Sequence, residues 1–290
     1  MMNRDFVICT DAIIDTSEEF FINNNIKPIE HGIVIDEKEI FDGFCKSLTE
    51  HDIYKMLREG KQISTVQGNI EQMYKHCEDA AKDNLDLLYI CFSSALSGTY
   101  NTACMVANDT MEKYPDCKIT VVDTKCAAAG QGILVRDAVE MKKAGKSVEE
   151  IAKYIEDTRL KIHTFGFIDS LEHLKRGGRV SKTTALVGGI VGIKPIIGVN
   201  IDGAIDNISK ARGLSKAFQF IIDRLNDNYV EGEDVYISHC DNLESAENLK
   251  AQILEKTKAT NVHIYYLGNT IGCHVGPDSA IIFFKGKTRE

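Results

Sequence analysis

Three sets of side chains in this sequence are of types that could do chemistry. The first is the run Ser93-Ser94-Ala95-Leu96-Ser97-Gly98-Thr99, rich in hydroxyls and followed by Tyr100. The second is Thr65 in the polar segment Ile63-Ser64-Thr65-Val66-Gln67-Gly68-Asn69. The third is His274, set between Gly272 and Gly276. Asp11 and Asp123 add carboxylates that directly follow apolar runs. If these groups converge, two chemistries are open. A nucleophilic Ser93 or Ser94 with His274 as base and Asp11 or Asp123 as orienter would make an acyl hydrolase. Hydroxyls and an imidazole that only donate hydrogen bonds would hold a small anion such as a carboxylate. Spacing alone does not separate the two. Each residue also has a structural alternative: Ser97, Thr99, Asn69 or Asp11 as a helix cap, and His274 as a packed core histidine.

The elements that must position these groups read as α/β. Leu87 to Phe92 is apolar without alternation, which predicts a strand buried on both faces. Ala103, Val106 and Ala107 then recur at helical spacing, so the serine run is a strand-to-helix turn. Ligands collect at such turns, where free N–H groups and the positive helix end favour anions. Phe6-Cys9, Ile33-Ile35 and Lys118-Val122 predict further strands, the first and last closing on Asp11 and Asp123. Asp52 to Glu59 predicts a helix, and Ala127 to Gly132 a small-residue helix start. Ser147-x-x-Glu150 is a capping box.

A domain boundary is expected ahead of the strand His163-Ile168, dividing the chain into 1–161 and 162–290. In the second part, Leu171 to Arg179 predicts a short helix stopped by Gly177-Gly178. Gly188 to Val199 mixes glycine with β-branched residues, a composition that lets a surface or an apolar ligand approach the backbone. Asn200-Ile201-Asp202-Gly203 predicts a hairpin turn. Ser215-Leu225 predicts a helix, Val235-His239 and Val262-Leu267 a βαβ unit, and Ala280-Phe284 a last strand.

Composition removes several classes. With 290 residues, 43% hydrophobic and 27% charged, the chain is long enough for two globular domains. Its formal net charge of −9 disfavours nucleic acid as a partner. The longest uncharged apolar run, Thr183 to Ile193, is too short to span a bilayer. The first strand begins too early for a signal peptide to precede it. Nine cysteines without CxxC spacing predict free thiols, no metal and a cytoplasmic location. No phosphate-binding glycine loop and no GxSxG elbow is present.

Taken together, Ile8-Cys9-Thr10-Asp11, Ser93 through Tyr100, Val122-Asp123-Thr124, Leu171 through Arg179, Lys194-Pro195-Ile196 and His274-Val275-Gly276-Pro277 closely resemble the DegV family in order and nearly end to end. These are the fatty acid-binding subunits of bacterial fatty acid kinase, with a fold shared by dihydroxyacetone kinase subunits. The resemblance implies an N-terminal parallel-sheet α/β domain, a C-terminal α/β domain with a mixed sheet, and a ligand between them. That ligand would be a long-chain fatty acid such as palmitate, with no other cofactor and no catalysis by the chain itself. Its carboxylate would meet Thr65, Ser93 or Ser94, His274 and Gly276, with Asp11, Gln67, Ser97 and Asp123 in support. The tail would run along Gly189, Ile190, Ile193 and Ile196. An ATP-dependent kinase subunit would phosphorylate the carboxylate and feed phospholipid synthesis, and Arg176, Arg179 and Arg212 would meet that partner or, transiently, a membrane surface. Two departures from the family pattern stand out. The family's Thr-Ser-Gln-Pro-Ser loop is Thr65-Val66-Gln67-Gly68-Asn69 here, and its Asp-Ser is Asp11-Ala12.

Overall fold

A computed structural model of the chain describes residues 4–180 and 192–289. The chain opens with β1 (Phe6–Asp11), α1 (Glu18–Asn23) and β2 (Lys27–Ile29). It then forms β3 (His31–Ile35), β4 (Lys38–Phe41), α2 (Glu50–Arg58), β5 (Ser64–Gly68) and α3 (Ile70–Lys82). There follow β6 (Asp86–Cys91), α4 (Thr99–Lys113), β7 (Ile119–Asp123), α5 (Ala128–Lys143) and α6 (Val148–Thr158). Strands β1, β2, β6 and β7 make a parallel sheet in the order β2-β1-β6-β7, while β3, β4 and β5 make a small antiparallel one.

The later elements are β8 (Ile162–Phe167), α7 (Glu172–Arg176), β9 (Ile193–Val199), β10 (Ile205–Arg212) and α8 (Leu214–Asn228). Beyond them lie β11 (Val235–His239), α9 (Leu243–Lys256), β12 (Val262–Tyr266), α10 (Asn269–Val275) and β13 (Ala280–Lys285). These six strands form a mixed sheet in the order β10-β9-β8-β13-β11-β12, in which only β11 and β12 run parallel. Helix α5 is buried along most of its length, because its small residues Ala128, Ala129, Gly130 and Gly132 let both sheets approach it. One apolar core runs from Ile8 and Ile90 of the parallel sheet through Leu134 and Val135 to Ile197, Ile281 and Phe283 of the mixed sheet.

The architecture is the α/β arrangement expected from the strand and helix signals, with four local differences. Strands β2 and β4 had no signal of their own, being short and only partly buried. The Ile63–Asn69 segment is mostly strand β5, paired with β3, and only Asn69 serves as a cap, accepting from Glu71 N and Gln72 N. The segment around the glycine-flanked His274, for which the sequence predicts no element, is a helix, α10. Asp11 caps no helix; Ser17 caps α1. The expected capping box at Ser147 and Glu150 is present.

The hairpin predicted at 200–203 joins β9 to β10, with Asn200 N donating to Ala204 O and Gly203 N to Asn200 O. Gly203 has φ of +86°, and a Cβ there would lie 2.3 Å from Ser93 Oγ and 3.0 Å from Lys125 Cα. Both the left-handed backbone and the close approach of the N-terminal part exclude a side chain. Gly203→Ala is therefore expected to destabilise the fold by about 2–4 kcal/mol. A calorimetric melt should show it as a midpoint lowered by several degrees.

Candidate functional site

Of the sequence-selected hydroxyls, it is Thr65 and Ser97 that meet His274 around one cavity, while Ser93 and Ser94 do not. The cavity, about 390 Å³, lies between the two sheets. From the N-terminal side it is lined by Ile13, His31, Thr65, Phe92 and Ser97; from the C-terminal side by Arg179, Ile205, Ile271 and His274. Thr65, Gln67, Ser97 and His274 come from β5, the turn before α4 and α10, and most of the other lining residues are apolar, His31, Arg179 and Thr270 excepted. This is the usual make-up of a small-molecule site, an apolar body with a few placed polar groups.

Two hydroxyl relays deliver donors to the cavity. Thr65 Oγ1 lies 2.9 Å from His274 Nε2. Burial, with the charges of Arg179 and Arg176, pushes the His274 imidazole down to about 4, so it is neutral at neutral pH. A neutral ring that donates through Nε2 to Thr65 leaves the threonine O–H free to donate into the cavity. On the other side, Gly68 N donates to Thr99 Oγ1, which lies 2.8 Å from Ser97 Oγ, and Thr99 N also donates to Ser97 Oγ. With Thr99 donating to Ser97, the serine O–H likewise points its proton onward. Such chains strengthen each member. The cap of α4 is Gly98, which has no side chain of its own, and the positive end of this 15-residue helix lies at the cavity wall. Gly177 completes the wall, since a Cβ there would fall 2.1 Å from His274 Nδ1. The arrangement suits an acceptor-only ligand group such as a carboxylate.

The other expected residues sit elsewhere. Ser93 is fully buried and donates to Gly203 O, which ties the turn to the hairpin. Ser94 is exposed and donates to Asp123 Oδ2 at 2.6 Å, while Asp123 Oδ1 accepts from Ser94 N and Lys125 N. Asp123 therefore braces the β6 and β7 turns. Ser93 and Ser94 are thus bonded to Gly203 and Asp123 while His274 pairs with Thr65, so neither serine is hydrogen-bonded to His274. Gly276, with φ of +84°, packs on the His173 ring rather than on the cavity. Ile196 is buried in a separate core with Phe167 and Phe218, and Ile193 is half-buried on β9; neither lines the cavity. Arg212 is exposed at the end of β10. Gly189 and Ile190 lie outside the described residues. Gln67 does line the cavity, close against Gly98.

Asp11 acts from behind the wall. Its carboxylate accepts from His31 Nε2 at 2.8 Å, Tyr89 OH at 2.9 Å, Phe92 N at 2.6 Å and Gln131 Nε2 at 2.8 Å. Burial pushes the carboxyl up, but the hydrogen bond and charge of His31, with Gln131 and Phe92 N–H, hold it below the ordinary range. It fixes His31 and Phe92, both of which line the cavity. Beyond the Thr65–His274 pair lies a second, more polar cavity of about 420 Å³ that takes in His173, Arg176 and Arg179. Among the described residues neither arginine pairs with a carboxylate, and no cluster of three metal-ligating side chains occurs.

With this geometry in place, comparison with known proteins gives one answer. The family model described as uncharacterised protein, DegV family, matches residues 5–286. The chain belongs to the DegV family. A DegV domain-containing protein of Clostridium perfringens is 38% identical over 289 residues, 99% of each chain. One from Caldanaerobacter subterraneus is 34% identical over 282 residues, covering 97% of this chain and 98% of its own. Among solved structures, the fatty acid binding DegV family protein of Streptococcus agalactiae matches with a TM-score of 0.87 at 24% identity, over 98% of this chain and 100% of its own. A DegV family protein of Eubacterium eligens loaded with heptadecanoic acid matches with a TM-score of 0.85 at 25% identity, over 97% and 100%.

Within this DegV fold the sequence reading missed Thr99 as a relay member and Ile13, Ile205 and Ile271 as cavity wall. The Ile205 and Ile271 positions come from the mixed-sheet part, and nothing local marks them. The depressed His274 has a measurable consequence. Unfolded, the ring binds a proton near 6.5; folded, only near 4. The unfolded state thus binds more protons between those values, and stability falls as pH drops from 6.5 towards 4. His274→Gln should remove about 1–3 kcal/mol of the acid loss between pH 7 and 4.5, read as the difference from wild type in urea melts at the two pH values.

Proposed function

We propose that this protein binds a long-chain fatty acid between its two parts, 1–161 and 162–290, and presents the carboxylate to an ATP-dependent fatty acid kinase subunit. The observation that carries the reading is a largely apolar cavity between the two sheets with two hydroxyls, a neutral imidazole and a helix N-terminus in its wall. Thr65 and Ser97 would donate to the carboxylate, His274 and Thr99 would set their hydroxyl directions, and Ile13, Phe92, Ile205 and Ile271 would surround the tail. Fatty acids bound by DegV relatives of the same fold support it.

Magnitudes agree with a carrier. About 14 buried methylenes at about 0.8 kcal/mol each supply on the order of 11 kcal/mol gross. Association costs about 4–15 kcal/mol, so the tail provides most of the affinity and the head group sets orientation. The second cavity gives a partner a route to the carboxylate from the side opposite the tail. There Arg176 and Arg179 would offset the charge added on forming an acyl phosphate. The nine unpaired cysteines, six of them buried along with Cys9, fit work in the cytoplasm. No helix among the described residues is long and apolar enough to cross a membrane, so any membrane contact during transfer would be at the surface.

Organic extraction of the purified protein followed by mass spectrometry should release a long-chain acid near one per chain. An empty extract from protein that also takes up no added acid would end the proposal. The head-group roles separate by titration calorimetry. Thr65→Ala and Ser97→Ala should each weaken fatty acid binding about 10-fold or more, at about 1.5–3 kcal/mol for a charged hydrogen bond. Ser93→Ala should instead lower the melting temperature while leaving affinity within about twofold.

A further inference from the structure

Two cavities meet at a wall of two residues. The acyl chamber and a further cavity of about 490 Å³ share Ile13 and Thr270 in their linings. Ile13 is buried, packed with Phe92, Leu96 and Ala127, and its β-branched side chain has little freedom to swing aside. Thr270 lies on α10 one turn before His274, about 6 Å along the helix axis. A chain held at His274 and running along α10 therefore reaches this wall with most of its length still to be placed. Beyond it, Phe44, Ile264, Tyr265 and Tyr266 offer apolar surface. The buried Asp15 in that cavity accepts from Ser238 Oγ and Gly268 N. Burial pushes its carboxyl up to about 7, so near neutral pH much of it is uncharged and tolerates an apolar neighbour.

We infer that Ile13, with Thr270, sets the acyl chain length this protein accepts, and that the further cavity receives the end of any chain passing between them. The inference rests on the fatty-acid reading. Its effect is steric. Truncating Ile13 joins the two cavities, and a larger ring at the same place closes the chamber.

The test is a set of dissociation constants for saturated acids from myristic to behenic, measured on wild type, Ile13→Ala, Ile13→Phe and Thr270→Ala. Ile13→Ala and Thr270→Ala should move the best-bound acid to greater length, with about fourfold in affinity for each methylene newly buried. Ile13→Phe should move the best-bound acid to shorter length, weakening the longest acids at least about tenfold relative to myristic acid. An unchanged order of preference in variants that still bind would overturn the inference and leave the carrier reading intact. So would a uniform loss across the series, which marks general damage to the chamber. Should Ile13→Ala not fold, the other two variants decide the matter. A wild type that binds none of these acids would overturn the fatty-acid reading, and the chain-length role with it.

Discussion

A carboxylate with no water around it must be surrounded by donors, and Asp11 meets that demand by drawing four elements together. His31 comes from β3, Tyr89 from β6, Phe92 N from the turn after β6, and Gln131 from α5. Losing one donor would leave part of a buried charge unsatisfied, so the four positions are mutually fixed. Helix α5 in turn lies between the two sheets, and the hub thereby sets how the mixed sheet faces the parallel one. The cavity is the space left at that junction. Its walls inherit their rigidity from a hydrogen-bond network that itself touches no ligand.

The polar part of the cavity wall obeys a related constraint. A carboxylate offers acceptors only, so a site for it needs hydroxyls whose own oxygen is already served by another donor. His274 Nε2 stands within hydrogen-bond distance of Thr65 Oγ1 to do this, and Ser97 Oγ accepts from Thr99 N. Keeping the imidazole neutral is part of the arrangement, and burial beside two guanidinium groups achieves that. Arg176 places positive charge in the neighbouring cavity, and Arg179 lines both. The two cavities lie on opposite faces of the Thr65–His274 pair.

Much of this was legible before any coordinates. The continuous apolar run before Ser93 predicts a buried strand and the small hydroxylated run after it a strand-to-helix turn; both hold, with α4 beginning at Thr99. Thr65 and His274 were singled out and they do meet. The choice among the serines was not legible. Ser93, Ser94 and Ser97 lie within five positions, and a turn aims each hydroxyl differently: one at Gly203, one at Asp123 and one at the cavity. The strand β5 was hidden because its inward and outward positions are alike in polarity, and its pairing with β3 rests on contacts between chain-distant backbones. In the glycine-rich stretch Gly188 to Val199 composition suggests close approach of an apolar ligand, but Ile196 spends its apolar face on the α8 side of the sheet.

The sequence by itself determined what depends on near neighbours: the strand–turn–helix unit, the capping box at Ser147, the hairpin at Asn200–Gly203 and, through the order of its motifs, the DegV family. Those features follow from backbone preferences and side-chain periods that act over a few residues. Which side chains share the cavity was decided only in the tertiary structure. Thr65 and His274 are separated by 209 positions, and Ser93 and Gly203 by 110. Their meeting is set by the packing of two sheets about α5, and no local pattern records which way a hydroxyl turns once that packing is complete.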